Sequence, residues 1–499
     1  MLDNMSAYRQ LVDRFNQISA IRGASAMLGW DAETMMPDGA AGVRGEQLAA
    51  LAGVAHEKIT DAGLSDLLEA AKAEPLEGWE AANLREMDRS YRHANALPND
   101  LVAALTKATS HCTHVWQAAR PKNDFESFAK AFEPVLKLVR EASVAKSEAL
   151  GLDPYDAMLD EYDPGMSAAQ VDQYFGELQA FLPDFLNEAL DHQATHRQFK
   201  PLEGKTSTEA QEKLGRTFMT ALGFDFNHGR IDVSAHPFCG GVPGDVRLTT
   251  RYNDDAFSQS LYGVLHETGH AMYELGLPEQ WCGQPVGQAR GMSMHESQSL
   301  FLDMQLCRTD EFLRYALPVV RDTFGVGGDT WEAENFKRSL LKVERGLIRV
   351  DADEVTYPLH VMLRYRLEKA LLSGDLQIND MEAAWNDEMK KSIGVVPDGV
   401  GNGCMQDIHW PSGAIGYFPT YTIGAMIAAQ LFDTLKAQVP TWADDVQKGD
   451  FGSVFKWLRE NVHHKASLHS TPELITQATG KPLDVGIFKA HLRERYLGA

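Results

Sequence analysis

Residues 265–271 read Leu-His-Glu-Thr-Gly-His-Ala, and this H-E-x-x-H run restricts the fold more than any other stretch of the chain. Phe257, Leu261, Val264, Ala271, Met272 and Leu275 recur around it at three- and four-residue steps, which is a helical period. Asp255 is placed to cap the start of that helix, and Gly276 and Pro278 are placed to stop it. Residues four apart stack on one helix face, so His266 and His270 can hold one ion between them. Glu267 stands beside the first of them, placed to act on a water rather than to bind the metal. Imidazole nitrogens suit zinc, which keeps an open position when it is catalytic. For the run taken alone, the alternative is a solvated helix face carrying two histidines.

A catalytic zinc needs a third protein ligand. A second helix is expected to begin near Ser293, and Glu296 on it is the natural choice. A carboxylate oxygen completes a two-His, one-Glu site and leaves a position for water. His295 competes, but neighbouring side chains on a helix point about 100° apart, so the two cannot easily share one ion.

The helical period runs through most of the remaining chain, over residues 4–30, 43–72, 79–119, 126–150, 167–195, 207–222, 335–373 and 422–437, with packing helices after that. Residues 223–255 differ. Arg230–Ser234 and Asp245–Thr249 alternate on either side of Gly240–Gly244, which predicts a small hairpin or sheet just before the metal helix. Such a strand edge can hold an extended peptide by main-chain pairing. No repeat or linker marks a boundary, so the expectation is a mainly α fold in one domain, residues 1–499, with a small β-sheet beside the site. Arg349, inside the 335–373 run, is either a surface charge or a paired anion binder. The Gly-rich stretch 399–416 holds Gln406-Asp407-Ile408-His409-Trp410 and runs on to Tyr417 and Tyr421, which suits a site wall. His111-Cys112-Thr113-His114 is poorly spaced for one helix face and reads as structural.

Charge narrows the partners. The chain carries 47 Lys and Arg against 70 Asp and Glu, a net charge of −23, which argues against nucleic acid and anionic membranes. Its five cysteines form no C-x-x-C pair, which suits a reducing compartment. The first residues lack a basic segment followed by an apolar core, and no run of about 18 apolar residues could span a bilayer. The simplest localisation is cytoplasmic.

Six motifs occur in order: His236-Pro237-Phe238; Asp245–Thr249 as D-x-R-x-T; His266–His270; His295-Glu296-Ser297-Gln298; Ile348–Asp353 as I-R-x-x-A-D; and Gly403–Trp410 as G-x-x-Q-D-x-H-W. Together they resemble the M32 family of metallocarboxypeptidases, the carboxypeptidase Taq type. Trp30–Pro37 also looks like the family's N-terminus, so the resemblance runs from about residue 6 to the end. It implies an almost all-helical fold with a deep active-site groove, similar to neurolysin and angiotensin-converting enzyme, with N-terminal helices forming a lid over part of the groove. It also implies a homodimer that removes single residues from peptides with a free C-terminus, with broad specificity.

Taken together, these readings assign zinc to His266, His270 and Glu296, with cobalt or manganese as substitutes such a site can take. Glu267 is the expected general base. His409, from its motif, and Tyr421, by resemblance to the related peptidases, are the candidate oxyanion donors. Arg349 is the first choice to grip the substrate's α-carboxylate and Arg247 the second. Asp407 and Asp353 could orient a histidine or an arginine, and His236 and His295 are site-wall residues. The rival readings are an endo-acting oligopeptidase with the same ligands and a catalytically silent zinc- and peptide-binding scaffold, against which Glu267 speaks.

Overall fold

Helix periods become helices along nearly the whole chain, and the exceptions are informative. In the computed structural model, residues 5–234 and 236–498 are described, so Asn4, the first residue of the expected 4–30 helix, lies outside the described residues. That helix is α1 (Ala7–Thr34), opened by the Ser6 side chain accepting from the Arg9 N–H, and it is followed by α2 (Ala41–Ile59). The expected 43–72 run is two helices. Asp61 caps α3 (Ala62–Lys72) by accepting from the Gly63 N–H, which starts a new helix instead of continuing the old one. The 79–119 run divides in the same way into α4 (Gly78–Asn95) and α5 (Asn99–Ala119), because Pro98 lacks an N–H and restricts the residue before it. Next come α6 (Phe125–Leu150), α7 (Pro154–Tyr162), α8 (Ala168–His196) and α9 (Thr208–Ala221).

The two alternating segments are strands but not hairpin partners. β1 (Gly229–Val233) pairs with β3 (Asp245–Thr250) in parallel, and β2 (Cys239–Val242) pairs with β3 antiparallel. The sheet order is β1-β3-β2. The segment between the two expected strands is long enough to supply its own strand, and Gly241 and Gly244, at φ +105° and +84°, let that strand turn into β3. A β-carbon on Gly241 would stand 2.2 Å from the Asp245 carbonyl oxygen.

The metal helix is α10 (Phe257–Glu274). Its N-cap is Ala256 with no side-chain cap bond, so Asp255 does not fill the expected role; the Asn253 side chain accepts from the Asp255 N–H instead. α11 (Gly291–Leu300) runs directly into a π-helical turn, Phe301–Gln305. After α12 (Asp310–Phe324), the expected 335–373 helix breaks into α13 (Ala333–Leu340) and α14 (Tyr357–Ser373). Between them lies irregular chain with one 3-10 turn, Arg349–Asp351. The Asp353 carboxylate accepts from the N–H groups of Glu344, Val355 and Thr356, and these local bonds displace the helix ladder. Asp353 is therefore a local cap and orients neither a histidine nor an arginine. The remaining helices are α15 (Met381–Ser392), α16 (Pro419–Gln438), α17 (Trp442–Gln447), α18 (Gly452–Asn461), α19 (Thr471–Thr479) and α20 (Val485–Leu497). α16 begins three residues before its expected start, which puts Tyr421 in its first turn.

Two helices, α14 and α16, are buried nearly all round, with 13 of 17 and 14 of 20 residues inside, so they form the centre of the main core. α10, α11 and α16 approach one another through glycine. A β-carbon on Gly269 of α10 would stand 2.4 Å from the Gln298 carbonyl oxygen of α11. A second, smaller apolar cluster joins Tyr8, Leu11, Phe15 and Ile18 to Leu64, Leu68 and Met87 of α3 and α4. Asn83 of α4 ties this layer to the rest by donating to Gln284, and Glu86 accepts from Arg290 in a buried ion pair. Among the described residues, no helix is long and apolar enough to cross a membrane.

Candidate active site

The four-residue step on α10 stacks His266 and His270 with ring centroids 5.0 Å apart. Glu296, 5% exposed, reaches them from α11. His266 Nε2 lies 3.9 Å from Glu296 Oε1, and His270 Nε2 lies 3.6 Å from Oε2. The three ligand atoms all lie within 4.8 Å of one another. A tetrahedral zinc with bonds of about 2.0–2.1 Å has edges of about 3.3 Å, so both His–Glu spacings are only slightly longer than an ion requires. The charges fit as well. Burial alone would lower the His266 pKa, yet the converging carboxylates of Glu296, Asp303 and Glu267 bring it up to about 9. A divalent cation is what such a concentration of negative charge lacks.

Glu267 lies close enough for the charges of His266 and Glu296 to act on its carboxyl. It is 7% exposed, and burial pushes its carboxyl up to about 7, the range that suits a general base. Two further groups back the histidines from behind. Asp303, on the π-helical turn, lies 3.6 Å from His266 Nδ1 and is itself held by Arg308 at 3.1 Å. His295 lies under His270, with the two Nδ1 atoms 2.6 Å apart. It is not among the three converging ligand groups. Sequence reasoning missed Asp303, whose signal is a carboxylate inside the apolar run Leu300-Phe301-Leu302-Asp303-Met304. Tyr357 was missed too; its hydroxyl lies 3.5 Å from Glu296 Oε1.

The Gly-rich loop supplies the opposite wall. His409 Nε2 lies 3.1 Å from the Tyr421 hydroxyl, and the His409 ring rests 4.4 Å from that of Phe418. Burial, aided by Arg349, pushes the His409 pKa down to about 3, so the ring is neutral. Its Nδ1 is buried with no partner, which favours the tautomer with the proton on Nε2. Arg349, on the 3-10 turn and 7% exposed, lies with its guanidinium 4.6 Å from the Tyr421 ring. Its Nε and Nη2 donate to Asp407 Oδ1 at 3.0 and 2.9 Å, and Arg364 Nε donates to Asp407 Oδ2 at 2.6 Å. One carboxylate thus faces two guanidiniums, leaving one positive charge in excess, and Glu296 feels the charge of Arg349. Asp407 therefore orients arginines.

Other expected residues have partners of their own or are exposed. Arg247, on β3, donates to Asp245 at 2.8 Å and sits 5.9 Å from the Trp30 ring. His236 is exposed on the loop before β2. His111 and His114 are exposed on α5, whereas Cys112 lies in the core. β2 is an edge strand of the sheet, and its Cys239 thiol is raised by burial and by the nearby carboxylates of Glu267 and Glu274, which puts this edge beside the metal helix.

The family model described as carboxypeptidase Taq (M32) metallopeptidase matches residues 10–496. The thermostable carboxypeptidase 1 of Thermus thermophilus is 35% identical, with 98% of each chain covered. Metallocarboxypeptidase 1 of Trypanosoma cruzi superposes with a TM-score of 0.95 at 38% identity, covering 98% of this chain and 99% of that one. An M32 carboxypeptidase from Deinococcus radiodurans gives 0.92 at 34% identity, with 98% of each covered.

Proposed function

The chain belongs to the carboxypeptidase Taq (M32) family of metallocarboxypeptidases, and from that premise we propose that it uses zinc held by His266, His270 and Glu296 to release residues one at a time from the free C-termini of peptides, with broad specificity. The observation that carries this reading is the cationic Arg349–Asp407–Arg364 cluster packed beside a two-His, one-Glu triad. A cationic group beside the proposed bond-breaking centre is what an exopeptidase needs and an endopeptidase does not, and this supports the reading.

When bound, zinc supplies Lewis-acid polarisation and a water made more acidic. The protein's own groups do the rest. The Glu267 carboxylate takes the proton of the attacking water and passes it to the nitrogen of the leaving residue. The Tyr421 hydroxyl donates to the oxygen that gains charge at the scissile carbonyl, and His409 Nε2–H donates to the Tyr421 oxygen, holding that hydroxyl in register. Arg349 grips the terminal carboxylate, with Asp407 fixing the plane of its guanidinium. The outer edge of β2 would align the peptide by main-chain pairing. Arg247 remains a secondary candidate, engaged with Asp245. By family resemblance the N-terminal helices would act as a lid over the groove and the working assembly would be a homodimer; cytoplasmic, single-domain subunits would follow from the cysteine usage and the lack of a linker in the sequence.

The test is a mass-spectrometric time course on one peptide and its C-terminally amidated twin, with and without a chelator. The expected result is a ladder of C-terminal losses from the free acid alone, abolished by chelation and restored by zinc. Internal fragments from both peptides would replace this reading with an endopeptidase.

A further inference from the structure

Glu274 closes α10, eight residues after His266 and four after His270, so all three share one helix face. A carboxylate in the last turn of a helix opposes the helix dipole, so this position is locally unfavourable for it. Its Oε1 lies 2.8 Å from His295 Nε2, and His295 Nδ1 lies 2.6 Å from His270 Nδ1. The rings are held in place: His295 packs 4.6 Å from the His270 ring and 5.5 Å from that of Tyr273.

We infer that Glu274 is a positioning residue that sets, through His295, the tautomer in which His270 offers Nε2 to the metal. The inference rests on the reading of His270 as a metal ligand. A neutral imidazole has one N–H. The Glu274 carboxylate accepts only, so the His295 proton sits on Nε2 and its Nδ1 is a lone pair. Two Nδ1 atoms this close need one donor between them, so His270 carries its proton on Nδ1. Its Nε2 lone pair is then free on the side facing Glu296. Without Glu274, the opposite arrangement becomes available: His295 Nδ1–H donates to His270, the His270 proton moves to Nε2, and the ligand atom is blocked. Asp303 acts on His266 directly, whereas Glu274 acts on His270 through an intervening ring. Partners behind metal-bound histidines typically contribute 10–100-fold in metal affinity.

The measurement is the zinc dissociation constant of metal-free protein, by competition with a chromophoric chelator, together with its thermal midpoint. Glu274→Leu is expected to weaken zinc about 10–100-fold. Glu274→Gln, whose amide oxygen accepts the same N–H, is expected to recover most of that loss at an unchanged midpoint. His295→Phe should weaken zinc similarly, and adding Glu274→Leu to it should cost nothing more, because both act through one path. Wild-type affinity in Glu274→Leu, equal losses in the Leu and Gln variants, or additive losses in the double variant would overturn the relay. His270→Ala with wild-type affinity would overturn the ligand assignment itself, and the relay with it.

Discussion

Gly424 of α16 lies flush against Glu296: a β-carbon on it would stand 2.9 Å from both Cβ and Cγ of that side chain and 3.1 Å from the Ser293 carbonyl oxygen. The carboxylate is thus set in place by a missing side chain on a neighbouring helix. Gly424→Ala should displace Glu296 or separate the helices. The expected outcome is a loss of about 1–3 kcal/mol in stability and a clear fall in metal affinity, read from thermal melts and chelator competition. A variant that loses stability but binds metal normally would show that α16 gives way instead.

Glu267 is buried beside the proposed triad, close enough for His266 and Glu296 to act on its carboxyl, and is the proposed general base. Glu267→Gln keeps the shape and removes the basic oxygen. We expect full metal occupancy by elemental analysis and a fall in kcat of about 10²–10⁴-fold. Normal turnover in a folded, metal-loaded variant would remove the general-base role.

Arg349 is held by Asp407 and leaves positive charge for a ligand. Arg349→Ala should lower kcat/KM for free-acid peptides by about 10-fold to 100-fold, mainly through KM, since a charge-assisted hydrogen bond contributes about 1.5–3 kcal/mol. Residual cleavage of amidated peptides should be unaffected. Equal losses on both substrates would show that the arginine only supports the loop.

Glu368 is buried beneath the Gly-rich loop, where it accepts from the Tyr155 hydroxyl at 2.5 Å, the Gly416 N–H at 3.2 Å and the Trp410 Nε1–H at 3.3 Å. Burial outweighs these three bonds and pushes its carboxyl up to about 8, from 4.5. The folded protein then holds this proton more tightly than the unfolded chain. The associated stability is complete below the unfolded pKa, declines as pH rises, and is lost above the folded value. In Glu368→Gln, unfolding midpoints between pH 4.5 and about 8 should decline less steeply than in wild type, and above that range the two profiles should run parallel. The difference is of the order of a few kcal/mol. Profiles parallel throughout would place the titration elsewhere.

The candidate metal triad was legible because each signal is local. A four-residue step places His266 over His270 on any helix, and Glu296 follows from the short ligand count and the next helical run. The Gly-rich loop was legible as a site wall for the same kind of reason. Where long-range contacts or local side-chain bonds compete with periodicity, the reading went astray. Arg349 was expected on a helix, yet Asp353 captures three backbone N–H groups and leaves it on a turn.

What the sequence by itself determined is the helical class, the family and the candidate triad, since periodicity, spacing and ordered motifs survive without knowledge of packing. The tertiary structure alone decided that β1 and β3 run parallel, that Asp303 and His295 stand behind the histidines, that Tyr357 meets Glu296, and that Gly269 and Gly424 let three helices close on the site. Each of these depends on which surfaces touch across long stretches of chain, and helix packing sets those contacts without leaving a local pattern to read.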